Sequence, residues 1–128
     1  MKHHKRPFSL WVNWRYAFAG LGEVARHEAA FRIELWTVGV MILWASLLPI
    51  PLEHRMILIL SLFVPLIVEM INSAIERVVD LVTLEENEMA KRAKDAASAA
   101  VLLSLLATGA VWMAIFYLDW EQIVLWLS

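Results

Sequence analysis

Five polar residues line up in the stretch VEMINSAIERVVD, Val68 to Asp80. At about 100° per residue, Glu69, Asn72, Ser73, Glu76 and Asp80 take the offsets i, i+3, i+4, i+7 and i+11 and share one helix face. Apart from Arg77, the rest of the stretch is Val, Met, Ile and Ala. Buried unpaired charge is too costly to persist, so the stripe needs cations, protons or donors opposite it. Arg32 and Lys94 are candidates, as is Glu28 through a shared metal ion. Carboxylates suit Mg²⁺, which takes few protein ligands and completes its shell from phosphates and water. Lys94 suits a phosphate as a point charge. A carboxylate at a membrane edge can take a proton from a lipid hydroxyl. These residue types permit a lipid-modifying phosphotransferase and equally an ion-coupled transport subunit. Blander readings stay open. Glu76, Arg77 and Asp80 could form a solvated helix end, Glu69 could be a carboxyl hydrogen-bonded between helices, and Asn72 could be interhelical glue.

Other chemistries find little footing. Cysteine is absent, which removes disulfides, thiolate nucleophiles and Cys-ligated zinc. No glycine-rich phosphate loop occurs. His3, His4, His27 and His54 lack metal-ligand spacing on one helix face, and no serine has a catalytic histidine pattern beside it. A net charge of -2 argues against a nucleic-acid partner.

The elements that must position the stripe follow from composition. The 128 residues suffice for a single domain, are 61% hydrophobic and only 19% charged, and have a mean hydropathy of +0.64. That excess of apolar residues exceeds what a core of this size can bury and points to a bilayer. Three stretches lack Asp, Glu, Lys, Arg and His: Leu35 to Leu52, Met56 to Val68, and Ala96 to Leu118. A spanning helix needs roughly 20 residues, so the second must continue through Glu69 and Asn72. The spans are expected over about 30–50, 55–80 and 93–118, with Pro65 kinking the second. Lys and Arg cluster before the first span and between the second and third, which places the N-terminus and that loop in the cytoplasm. The PIPLEHR turn and the C-terminal DWEQ fall outside, and Trp36 and Trp120 mark span ends. MKHHKRPFSLWVNWR has no apolar core before Arg15 and does not read as a signal peptide. Over Phe8 to Arg26, an apolar stripe of Trp11, Trp14, Phe18, Leu21 and Ala25 predicts an amphipathic helix at the bilayer interface. Packing on the protein's own core is the alternative, and Gly20 and Gly22 each cost such a helix about 1 kcal/mol. Ala93, Ala97 and Ala100, with Ala96 and Ala99 nearby, predict close packing of the third span.

Three motifs carry a resemblance: HEAAFRIE (His27 to Glu34), VEMINSAIERVVD (Val68 to Asp80) and RAKDAASAAVL (Arg92 to Leu102). In this order and spacing, the chain from about Tyr16 to Trp112 resembles the prokaryotic diacylglycerol kinase family, which includes undecaprenol kinases. The resemblance implies an all-α membrane protein, a homotrimer with three transmembrane helices per subunit and an N-terminal surface helix. The implied location is the bacterial inner membrane. The implied reaction moves the γ-phosphoryl of Mg-ATP to the hydroxyl of a membrane lipid, in a site shared between subunits. By matching position, Glu69 would be the base, and Glu28 and Glu76 would hold Mg²⁺ against the ATP phosphates. Tyr16, Lys94 and Asp95 would contact nucleotide, and Asn72 would organise the site. Ala30, Phe31, Arg32, Ile33, Glu34, Ser98 and Trp112 would lie near the lipid. One departure stands in TLEENEMAK, where many members carry Glu-Tyr-His: Glu86 and Asn87 occupy the Tyr and His positions. Glu85, Glu86 and Asn87 carry over as nucleotide contacts by position; a backbone contact survives that change, a ring contact does not. Glu34 matches the diacylglycerol branch, while WRYAFAGL, FRI and VVDLVT look closer to the undecaprenol branch. The reading favours diacylglycerol.

Overall fold

The structure, a computed structural model, describes residues 9–128. Phe8, where the surface helix was expected to begin, lies outside the described residues, as do His3 and His4. The described residues form six helices and no strand: α1 (Leu10–His27), α2 (Ala29–Leu47), α3 (Leu52–Ser61), α4 (Phe63–Val82), α5 (Glu88–Leu118) and α6 (Trp120–Leu127).

Each break has a local device. Between α1 and α2 only Glu28 leaves helical geometry, at φ -102° and ψ 111°. The Arg32 guanidinium donates back to the carbonyls of Ala25 (3.4 Å) and Arg26 (3.0 Å), supplying part of what the α1 C-terminus lacks. Helix α2 stops at Leu47 because Leu48 precedes Pro49, and a residue before proline is pushed out of the α region. Arg55 then donates to Leu48 O at 2.8 Å and to Ile50 O at 3.4 Å, satisfying the turn. Asn87 caps α5: its side chain accepts from the amides of Met89 (2.9 Å) and Ala90 (3.1 Å). That cap starts the third long helix at Glu88, ahead of the expected start at about 93.

Three helical segments are long and apolar enough to cross a membrane: Ala29–Leu47, Leu52–Val82 and Glu88–Leu118. The second joins α3 and α4 through Leu62. At about 1.5 Å per residue, α5 runs well past a hydrocarbon core of about 30 Å. Helix α6 is an addition to the expected elements. Asp119 bends the chain at the end of α5, and Ile123 packs α6 back onto the core.

The core is a thin seam. Helix α2 contributes Phe31, Val38 and Ala45, seven residues apart. The second span gives Leu58, Leu62 and Leu66, and α5 gives Trp112 and Ile115. Of the alanine stripe in α5, only Ala97 is buried. Most apolar side chains stay uncovered, including Trp36, Leu43, Leu60, Leu103 and Leu106.

Candidate active site

Helix α4 turns its polar stripe inward at one end and outward at the other. Glu69, Asn72 and Ser73 are buried at 6%, 8% and 1% exposure. Glu76 is half-buried and Asp80 exposed. The helical period that places these residues on one face also carries them from the bundle interior to its edge.

The stripe finds its cations in two places. Glu28 accepts from Arg77 Nη2 at 3.2 Å, which ties the α1–α2 break to α4. Asp80 accepts from Lys94 Nζ at 2.6 Å, which ties α4 to α5. Lys94 was an expected partner; Arg77 was not. Arg32, also expected opposite the stripe, spends its guanidinium on the α1 carbonyls. Asn72 donates to Glu76 Oε1 at 3.4 Å across one helical turn. Glu28, Glu34 and Glu76 each lie within electrostatic range of Glu69.

Buried polar atoms normally have partners. Glu34 Oε2, Asn72 Oδ1 and Ser73 Oγ have none among the described residues. Beyond Asp80, the end of α4 and the start of α5 enclose an open cleft of about 750 Å³ lined by Asp80, Thr83, Glu85, Lys91, Lys94 and Asp95, among others. That volume falls in the range of small-molecule sites. Glu86 and Asn87 also line it, but the Asn87 side chain already serves as the α5 cap.

The remaining expected residues are spread by depth. Tyr16 stands exposed on α1, with the Arg15 guanidinium 6.0 Å from its ring centre. Ala30, Arg32 and Ile33 are exposed on α2, while Phe31 is taken up by the core. Ser98 is exposed on α5. Trp112 is buried, stacked on Trp44 at 5.9 Å and edge-on to Phe116 at 5.7 Å. Fourteen residues of helix separate Ser98 from Trp112, about 21 Å. A ligand touching both must be long and run along the helix, as an acyl chain does.

Among the described residues, no three His, Asp or Glu side chains converge to hold a metal by themselves. Glu28 and Glu76, the latter one turn from the unpartnered Asn72 Oδ1, are donors of the kind that suits an ion taking few protein ligands and the rest from a nucleotide.

Comparison with known proteins points to one family. Residues 15–116 match the family model described as prokaryotic diacylglycerol kinase. The chain is 38% identical over 102 residues to the diacylglycerol kinase of Escherichia coli strain K12, covering 80% of this chain and 84% of that protein. It is 40% identical over 100 residues to the Pseudomonas aeruginosa diacylglycerol kinase, covering 78% and 81%. The Haemophilus influenzae diacylglycerol kinase is 33% identical over 103 residues, covering 80% and 87%.

Proposed function

The chain belongs to the prokaryotic diacylglycerol kinase family, and on that footing we propose that it transfers the γ-phosphoryl group of Mg-ATP to the hydroxyl of diacylglycerol, giving phosphatidic acid. The observation that carries the reading is the α4 stripe. It runs from buried Glu69 through Asn72 and Glu76 to Asp80 at the lip of a polar cleft. A lipid hydroxyl approaches from the bilayer side, and nucleotide approaches from the cleft side.

Glu69 takes the proton as the lipid oxygen bonds to the γ-phosphorus. The bond from that phosphorus to the β,γ-bridging oxygen breaks, and ADP departs. Lys94 and Asp95, with Tyr16 and the Glu85–Asn87 backbone, position the nucleotide. Glu28 and Glu76 would hold Mg²⁺ against the phosphates, where the ion neutralises charge. Asn72 donates to the Glu76 carboxylate, which lies within electrostatic range of Glu69. Ala30, Arg32, Ile33, Glu34 and Ser98 receive the lipid, and Trp112 backs that face from the core. Phosphoryl transfer rests mostly on positioning and charge neutralisation, so this set suffices without a phosphate loop.

The molecule works as a homotrimer in the bacterial inner membrane, with its N-terminus cytoplasmic and α1 lying on the membrane surface. Exposed Trp11, Trp14 and Phe18 suit that place. The test is label transfer from γ-labelled ATP, with Mg²⁺, into diacylglycerol and undecaprenol offered in parallel to the purified protein. Label in phosphatidic acid is expected. Label in undecaprenyl phosphate alone moves the chain to the other branch. Label in neither, with ion flux in liposomes, overturns the kinase reading.

A further inference from the structure

A proline inside a helix leaves the carbonyl four residues earlier without its amide donor. For Pro65 that carbonyl belongs to Ser61, and the second span breaks there: α3 ends at Ser61 and α4 begins at Phe63. The freed oxygen is taken by another helix. Thr108 of α5 donates its hydroxyl to Ser61 O at 3.2 Å. One turn along α5, the Trp112 indole N–H donates to Ser61 Oγ at 3.2 Å, and that hydroxyl donates to Leu58 O at 2.7 Å. Ser61 is therefore gripped at two atoms by residues four apart on α5. Pro65 and Thr108 are both buried. Lipid tails offer no donor in place of the Thr108 hydroxyl.

Glu69 stands one turn past Pro65 on the same face of α4. The angle at which α4 leaves the break therefore sets where the Glu69 carboxyl lies. We propose that Thr108 is a positioning residue for phosphoryl transfer: by holding the Ser61 carbonyl that Pro65 releases, it fixes the bend of the second span and the placement of Glu69. Thr108 touches no substrate in this scheme; it acts through Ser61 and α4. The inference rests on Glu69 being the base.

The test uses the full-length protein and four variants: Thr108→Val, Thr108→Ser, Pro65→Ala, and Pro65→Ala with Thr108→Val. Thr108→Val keeps the shape and removes the donor. Its kcat should fall about tenfold with the KM for ATP unchanged, because a small misplacement of a reacting group is costly. Thr108→Ser should return kcat to within about twofold of wild type. Pro65→Ala restores an amide to the Ser61 carbonyl and removes the bend. Alone it should lower kcat as Thr108→Val does. The double variant should regain thermal stability and keep the low kcat. Wild-type kcat in Thr108→Val would overturn the proposal. So would full recovery of kcat in the double variant, which would make Thr108 only a stabilising contact.

A second readout does not depend on activity. The chain has no cysteine, so spin labels at Met56→Cys and Val78→Cys report the angle between the two halves of the second span. Labelled protein is diluted into unlabelled protein so that only intrachain pairs count. The distance distribution should be narrow in the wild-type background and broadened by Thr108→Val; an unchanged distribution overturns the brace. If the wild type phosphorylates no lipid, the kinase reading fails, and this distance still decides whether the brace exists.

Discussion

Glu69 and Asp119 are both buried carboxylates, and their surroundings assign them different work. Glu69 is buried on α4, and among the described residues no Lys or Arg hydrogen-bonds to it, whereas other carboxylates lie within its electrostatic range. Replacing Glu69 with Gln keeps size and polarity and removes the proposed base. The expected result is a loss of transfer of about 10²-fold or more, with the helical circular dichroism spectrum and elution volume of the wild type. Wild-type turnover in a folded Glu69→Gln protein would remove its assigned role. Asp119, by contrast, is held by His54 Nδ1 at 2.7 Å, across 65 positions of sequence. It joins the α5–α6 bend to the first turn of α3. His54→Ala strands the Asp119 carboxyl without that partner and should cost about 2 kcal/mol. The measurement is the thermal midpoint by circular dichroism. The fall should appear with kcat nearly unchanged, since the pair sits at the opposite end of the second span from Glu76.

Two helices illustrate how a few residues decide an element. Helix α5 begins where Asn87 captures two amides, so Asn87 has a structural duty besides any contact with nucleotide. Asn87→Ala should lower stability by about 1 kcal/mol, and Asn87→Asp, which keeps the cap, should not. Measuring the KM for ATP in Asn87→Asp separates the two duties: a side-chain nucleotide contact raises KM there, and a cap alone leaves it as in wild type. The second span is the other case. Its halves meet at a proline whose cost is offset by a hydroxyl on a different helix. Ser61→Ala leaves the backbone bond from Thr108 in place but removes the acceptor for the Trp112 indole. An interhelical bond of this kind contributes about 0.6 kcal/mol in a bilayer. The variant should therefore lose little stability, with its effect read as altered fluorescence of the Trp44–Trp112 stack.

At the scale of the whole molecule, the uncovered surface is the governing fact. Only 17% of the apolar window in α2 and 22% of that in α5 are buried within one chain. Lipid tails can solvate that surface, but tails offer nothing to Glu34 Oε2 or Asn72 Oδ1, which have no partner among the described residues. The proposed homotrimer would give those helix faces a protein neighbour. Chemical cross-linking of the purified protein should give a ladder that ends at three subunits. Detergents that dissociate the ladder to monomer should abolish lipid phosphorylation. A fully active monomer would overturn the shared site.

Local pattern was enough for several features of this protein. The three helices able to cross a membrane, the helix that precedes them, the polar stripe and the break near Pro65 could be read from it, because helical period and hydropathy act over a few turns. The carboxylates could be grouped for the same reason: Glu69, Asn72, Glu76 and Asp80 share one helix, and one helix has one period. What sequence could not supply was the identity of partners on other helices. Arg77 reaches back 49 positions to Glu28, and His54 forward 65 to Asp119. Arg32 turned to the α1 carbonyls, and Thr108 answered a carbonyl that Pro65 had freed on another helix. Such pairings depend on how helices cross and rotate against one another, which is fixed by packing along their whole length. Tertiary structure alone therefore decided which charges face the stripe and which helix braces it.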